Sequence, residues 1–116
     1  MAVTQAEFRK MALSFAETEE RQHMNHPDFR AGGKIFATLR YPDENFGVVK
    51  LTPAEQQKFL SEETKAFTPC AGVWGQRGAT NVKLKAVKKT TLRAALEAAW
   101  KNAAPKRVVR EYEAHD

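Results

Sequence analysis

Two threonine-led capping boxes set the frame of this chain. Thr4-Gln5-Ala6-Glu7 and Thr52-Pro53-Ala54-Glu55 each place a hydroxyl three residues ahead of a carboxylate. That spacing lets the two side chains satisfy the backbone N–H groups that a helix start leaves open. After the first box, Phe8, Met11, Ala12 and Phe15 recur at helical spacing. A helix over about 4–16 is expected, its apolar stripe facing the core. After the second box, Pro53 suits the first helical position, and Phe59 with Leu60 supplies an apolar face. This predicts a helix over about 53–63.

Between the boxes the period changes. Residues 19–24 are short and polar and read as an edge strand. Asn25-His26-Pro27-Asp28 has turn chemistry, because Pro27 fixes its own φ and biases His26 toward extended geometry. Gly32-Gly33 is a hairpin turn. Strands are expected over 34–39 and 46–51, with a loop at 41–45. Beyond the second box, 67–70 reads as extended and 73–78 as a glycine-punctuated bend. Residues 81–87 alternate, with Val82, Leu84 and Ala86 on one side and Asn81, Lys83 and Lys85 on the other. Thr90 or Thr91 then caps a last helix carrying Leu92, Ala95, Leu96, Ala99 and Trp100 on one face, limited by Pro105. The order predicts an α+β fold: a single antiparallel meander packed on one side by helices.

Composition sets the outer bounds. The chain has 116 residues, 42% of them hydrophobic and 28% charged, which suits one globular domain over 1–116. No apolar run approaches the roughly 18 residues of a membrane span. Residues 1–7 show neither a basic nor an apolar leader region, so a cytoplasmic protein with no membrane partner is expected. The lone Cys70 excludes an internal disulfide and any multi-cysteine metal cluster.

Charge is uneven. Residues 1–80 carry ten basic and ten acidic side chains, so the formal surplus of +5 arises entirely after residue 80. Over 81–110, Glu97 alone opposes nine cations. Such a field steers polyanions, while a solvated basic face is the plainer reading.

Several blocks taken in order resemble the MmcQ/YjbR family. They are His23-Met24-Asn25-His26-Pro27-Asp28-Phe29-Arg30, Gly33-Lys34-Ile35-Phe36-Ala37, Trp74-Gly75-Gln76-Arg77-Gly78-Ala79-Thr80 and Ala99-Trp100. The resemblance runs from about Phe8 to Pro105. It implies a CyaY-like fold, related to the frataxin type, and a DNA-binding role described as a double-wing arrangement. The chain departs from the pattern at Phe15-Ala16-Glu17, where a Leu-Pro-Gly type helix stop is expected, and at Ala79, where an aromatic residue is common.

Candidate chemistry is sparse. His23 and His26 would bind a transition metal if a carboxylate such as Asp28 joined them; the spacing is not a zinc pattern, and a tight turn hydrogen-bonded between Asp28 and His26 is the preferred reading. Cys70 reads as a small buried hydrophobe. The glycines at 72, 75 and 78 lack a phosphate-loop ending. Frataxin-type iron binding uses an acidic ridge on the first helix and first strand; here Glu7 shares the helix with Arg9 and Lys10, and Glu17, Glu19 and Glu20 cluster only after it, a poor ridge. No catalytic constellation, metal site or cofactor is expected.

The foremost functional expectation is nucleic-acid binding, DNA in the first place. Lys83 and Lys85 would sit about 7 Å apart on one strand face, close to the phosphate spacing of a strand. Lys88, Lys89 and Arg93 extend that field, and Arg77 assists. Trp74 stacks if exposed and is otherwise core. The alternative is a small-ligand or protein-binding site built from His23, His26, Asp28, Arg30, Lys34 and Trp74. An acidic protein partner for the basic face is a third reading.

Overall fold

The computed structural model describes residues 3–115. Met1 and Ala2, which entered the leader reading, and Asp116, which entered the charge count after residue 80, lie outside them. Among the described residues there are five helices and six strands: α1 (Gln5–Leu13), β1 (Thr18–His23), β2 (His26–Ala31), β3 (Lys34–Leu39), β4 (Phe46–Lys50), α2 (Pro53–Glu62), β5 (Phe67–Pro69), α3 (Gly72–Gln76), β6 (Ala79–Lys83), α4 (Lys89–Ala103) and α5 (Lys106–Ala114). The strands form one sheet in the order β1-β2-β3-β4-β6-β5. Every neighbouring pair is antiparallel. The expected α+β architecture is therefore present.

Both capping boxes form as read. Thr4 and Glu7 exchange hydroxyl and carboxylate bonds across the start of α1, and Thr52 and Glu55 do the same for α2. The stripe of α1 buries Phe8 and Ala12, and α4 buries Leu92, Ala95, Leu96, Ala99 and Trp100. These meet the sheet face bearing Phe29, Ala37, Leu39, Val49, Val82 and Phe67, and together they make the main core. Trp100 is wholly buried, stacks on Phe15 at 5.4 Å and donates Nε1–H to the Ala16 carbonyl at 3.0 Å. That bond draws the Phe15-Ala16-Glu17 segment off the helical path, so α1 stops at Leu13 rather than near 16. Glu17 stands at φ +56°, the left-handed region glycine adopts most readily.

Four other expectations need correction. The first hairpin turns at Met24-Asn25, with φ +48° and +66°, and His26 already pairs with His23. Positive φ at both central residues is the twist-matched two-residue turn, so Pro27 and Asp28 belong to β2. The bend at 73–78 is largely a short helix, α3. Strand β6 ends at Lys83: its carbonyl accepts the N–H groups of Ala86 and Val87, turning the chain away, so Lys85 lies in a turn and shares no strand face with Lys83. Finally, α4 starts at Lys89 without a threonine cap; the N–H of Lys88 is taken by Glu63 Oε1 at 3.1 Å. Pro105 ends α4 as expected, but α5 follows it and docks Val108 on the core.

Alternation sends the other half of each strand to the opposite sheet face. There a second cluster, Val48, Cys70 and Ala79, is buried where α3 leans on the sheet. Gly75 permits that approach, since a Cβ on it would come within 1.7 Å of the Cys70 carbonyl oxygen. No helix among the described residues is long and apolar enough to cross a membrane.

Candidate functional site: a basic groove beside an aromatic band

The face opposite the main core carries His26, Asp28 and Arg30 from alternate positions of β2. Asp28 is completely buried. Its carboxylate accepts from Arg30 Nε at 2.8 Å, Arg30 Nη2 at 3.1 Å and His23 Nδ1 at 2.7 Å. The two-point guanidinium contact holds the Asp28 carboxyl below the usual carboxylate range; burial works against this and the His23 bond adds to it. This is the hydrogen-bonded arrangement expected of the segment, with His23 rather than His26 as the imidazole partner. His26 turns instead toward the rings, edge-on to Tyr41 at 5.4 Å, and its Nδ1 is buried without a hydrogen-bond partner among the described residues. Tyr41 in turn meets Trp74 at 5.8 Å, and Lys50 Nζ lies 6.0 Å from the Trp74 ring centre. Trp74 is 37% exposed and Tyr41 38% exposed, so Trp74 is not core.

Lys50 joins this band to a groove of about 790 Å³ at one end of the sheet. The β2–β3 register sets Arg30 opposite Ile35 and Ala31 opposite Lys34, which brings both cations to the hairpin end. Lys50 closes β4 at the same end. Arg77 is delivered by Gly78: the Gly78 carbonyl accepts the Leu51 N–H at 3.3 Å, and Gly78 sits at φ +114° so close to Leu51 that a Cβ would lie 1.9 Å from its carbonyl oxygen. The groove therefore has Arg30, Lys34, Lys50 and Arg77 around an apolar floor that includes Ile35, Leu51 and Ala99. No carboxylate of the described residues lines it. The start of α2 and the end of α4 both reach it, and their opposed dipoles leave the side chains to decide its sign. Lys34, Lys50 and Arg77 take part in no ion pair among the described residues, whereas Arg30 is partly answered by Asp28.

The cations singled out after residue 80 have differing surroundings. Lys83 opposes Phe46 at the far end of the β4–β6 pair from Lys50, which opposes Ala79. Lys89 is ion-paired with Glu7, whose carboxyl it draws below the usual range. Arg93 lies over the Phe15 ring at 5.1 Å and reaches Ser14. Lys83, Lys85 and Lys88 remain exposed. The sequence reading thus identified Arg30, Lys34 and Arg77 under two separate headings and missed Lys50 and Tyr41. The alternation Phe46-Val48-Lys50 was the available signal for Lys50. Cys70 is buried, donates to Asn81 Oδ1 at 3.2 Å, and burial pushes its thiol up to about 11, which leaves it unreactive. Among the described residues no three His, Cys, Asp or Glu side chains gather as a metal-ligand set.

Comparison with known proteins agrees with this architecture. The YjbR family model matches residues 13–102. No curated protein matches the chain. The crystal structure of Deinococcus radiodurans protein DR2400, which carries the family-model domain DUF419, superposes with a TM-score of 0.72 at 13% identity, covering 85% of this chain and 77% of that one. At that identity the likeness is one of fold.

Proposed function

We propose that this chain, which belongs to the YjbR family, binds nucleic acid, DNA in the first place, through the phosphate backbone. The observation that carries the reading is the groove in which Arg30, Lys34, Lys50 and Arg77 converge with no carboxylate of the described residues in the lining. Cations held together repel one another, and a phosphodiester placed among them relieves that repulsion while releasing its own counterions. Lys83, Lys85 and Lys88 add a long-range field at the other end of the sheet and draw the polyanion in without a built site. Contacts of this kind position the nucleic acid and read little base sequence. The setting of such an activity is the cytoplasm.

Titration of labelled duplex DNA at several salt concentrations tests the reading. Three unpaired groove cations give a log–log salt slope of about −3. Affinity that stays undetectable at low salt, for duplex and single strand alike, rejects it. Retention of an acidic protein from a nuclease-treated extract, with no DNA affinity, would replace it with the acidic-partner reading.

A further inference from the structure

We infer that the preferred nucleic acid is single-stranded, with an unpaired base stacking on Trp74 while the adjoining phosphates occupy the groove; the inference rests on the nucleic-acid reading above. Trp74 and Tyr41 are large rings left more than a third exposed in a chain that buries Trp100, Phe8, Phe29 and Phe36 completely. They are not scattered. Their centroids lie 5.8 Å apart at 75°, and His26 packs edge-on against Tyr41, so the three rings form one contiguous band. Lys50 belongs to both features, lining the groove and lying over the Trp74 ring. A base on Trp74 would therefore have a cation at its flanking phosphate.

Trp74 is also held in place. Its neighbour Gly75 is pressed on the Cys70 backbone, and the Gly75 carbonyl accepts from the buried Gln56 Nε2 at 3.0 Å. The same Nε2 reaches the Ala79 carbonyl and Thr80 Oγ1, which ties α3 to α2 and β6. A ring fixed this way loses little freedom when a base lands on it. Paired bases in a duplex hide their faces in the stack, so these rings serve only a strand whose bases are free. Cationic tracks beside aromatic platforms are the usual construction of sequence-tolerant single-strand binding.

The test compares a labelled oligothymidylate with a duplex of equal length at one salt concentration, using the full chain. The expected result is at least about tenfold tighter binding of the single strand. Trp74→Ala should bring the ratio of the two affinities toward one, and Trp74→Phe should restore part of it. Circular dichroism of each variant reports the fold. Equal affinity of the wild type for both forms, or a ratio unmoved by Trp74→Ala, overturns the inference and leaves phosphate binding standing. Failure to bind either form at low salt overturns the nucleic-acid reading itself.

Discussion

The groove and the post-80 lysine run hold comparable numbers of cations at opposite ends of one sheet, and their surroundings differ in kind. In the groove, Lys34, Lys50 and Arg77 come from a hairpin, a strand end and a glycine-hinged turn, and converge on one volume. In the run, Lys83 ends a strand, Lys85 lies in a turn, Lys89 is answered by Glu7 and Arg93 lies on Phe15. Charge density along a chain is not charge density in space. A run of lysines reaching out from successive elements is solvated one side chain at a time. Cations gathered from distant elements around a single hollow share one field, and only the latter is organised for an anion.

The largest expected difference between the two ends comes from the backbone. Gly78→Ala requires a side chain at φ +114° and a Cβ 1.9 Å from the Leu51 carbonyl oxygen. It should cost about 3 kcal/mol or more and displace Arg77 from the groove. Thermal unfolding checks the first effect, and loss of DNA affinity in whatever remains folded checks the second. No residue of the lysine run carries a comparable penalty, and a Gly78→Ala protein of unchanged stability would break the contrast.

Next comes the anchor of Arg30. Asp28 has its carboxyl lowered in the folded chain, so its contribution is present above the ordinary carboxylate range and disappears as pH falls through the lowered folded value. Asp28→Asn should therefore cost about 1–3 kcal/mol at neutral pH. The gap to the wild type should narrow as pH falls through the lowered folded value of Asp28. Denaturant unfolding at neutral pH and along an acid series measures it; a gap that stays constant would show that the Arg30 pairing contributes nothing.

The smallest effect belongs to the run. Lys89→Ala removes a half-exposed ion pair with Glu7. Such pairs contribute little. The melting temperature and DNA affinity should both stay within error of the wild type, and a marked loss of affinity would move the binding surface toward the start of α4.

The frame of the fold was legible because local signals agreed with the global packing. The two capping boxes, Gly32-Gly33 and the Leu92-to-Trp100 stripe all sit where their chemistry requires. Strand length was not legible. Val82, Leu84 and Ala86 continue to alternate, yet β4 has no residue beyond Phe46 in its ladder with β6, so the pairing runs out at Lys83. Periodicity reports a pattern of burial and is silent on where the partner strand stops. The Met24-Asn25 turn was hidden for a related reason. Pro27-Asp28 looks like turn chemistry, and the residues that take positive φ include a methionine. The groove was legible only in fragments. Arg30 and Arg77 are distant in sequence and meet because β4 leads through Leu51 to Gly78, a juxtaposition that register creates and composition does not show.

Paired double variants measure directly whether the groove outranks the lysine run. Lys50→Ala with Arg77→Ala should flatten the salt dependence of DNA binding by about two units of slope and weaken affinity at every salt concentration. Lys85→Ala with Lys88→Ala should leave the slope within about half a unit of the wild type. The reverse ranking, with the groove pair silent and the Lys85/Lys88 pair removing the salt dependence, would contradict it.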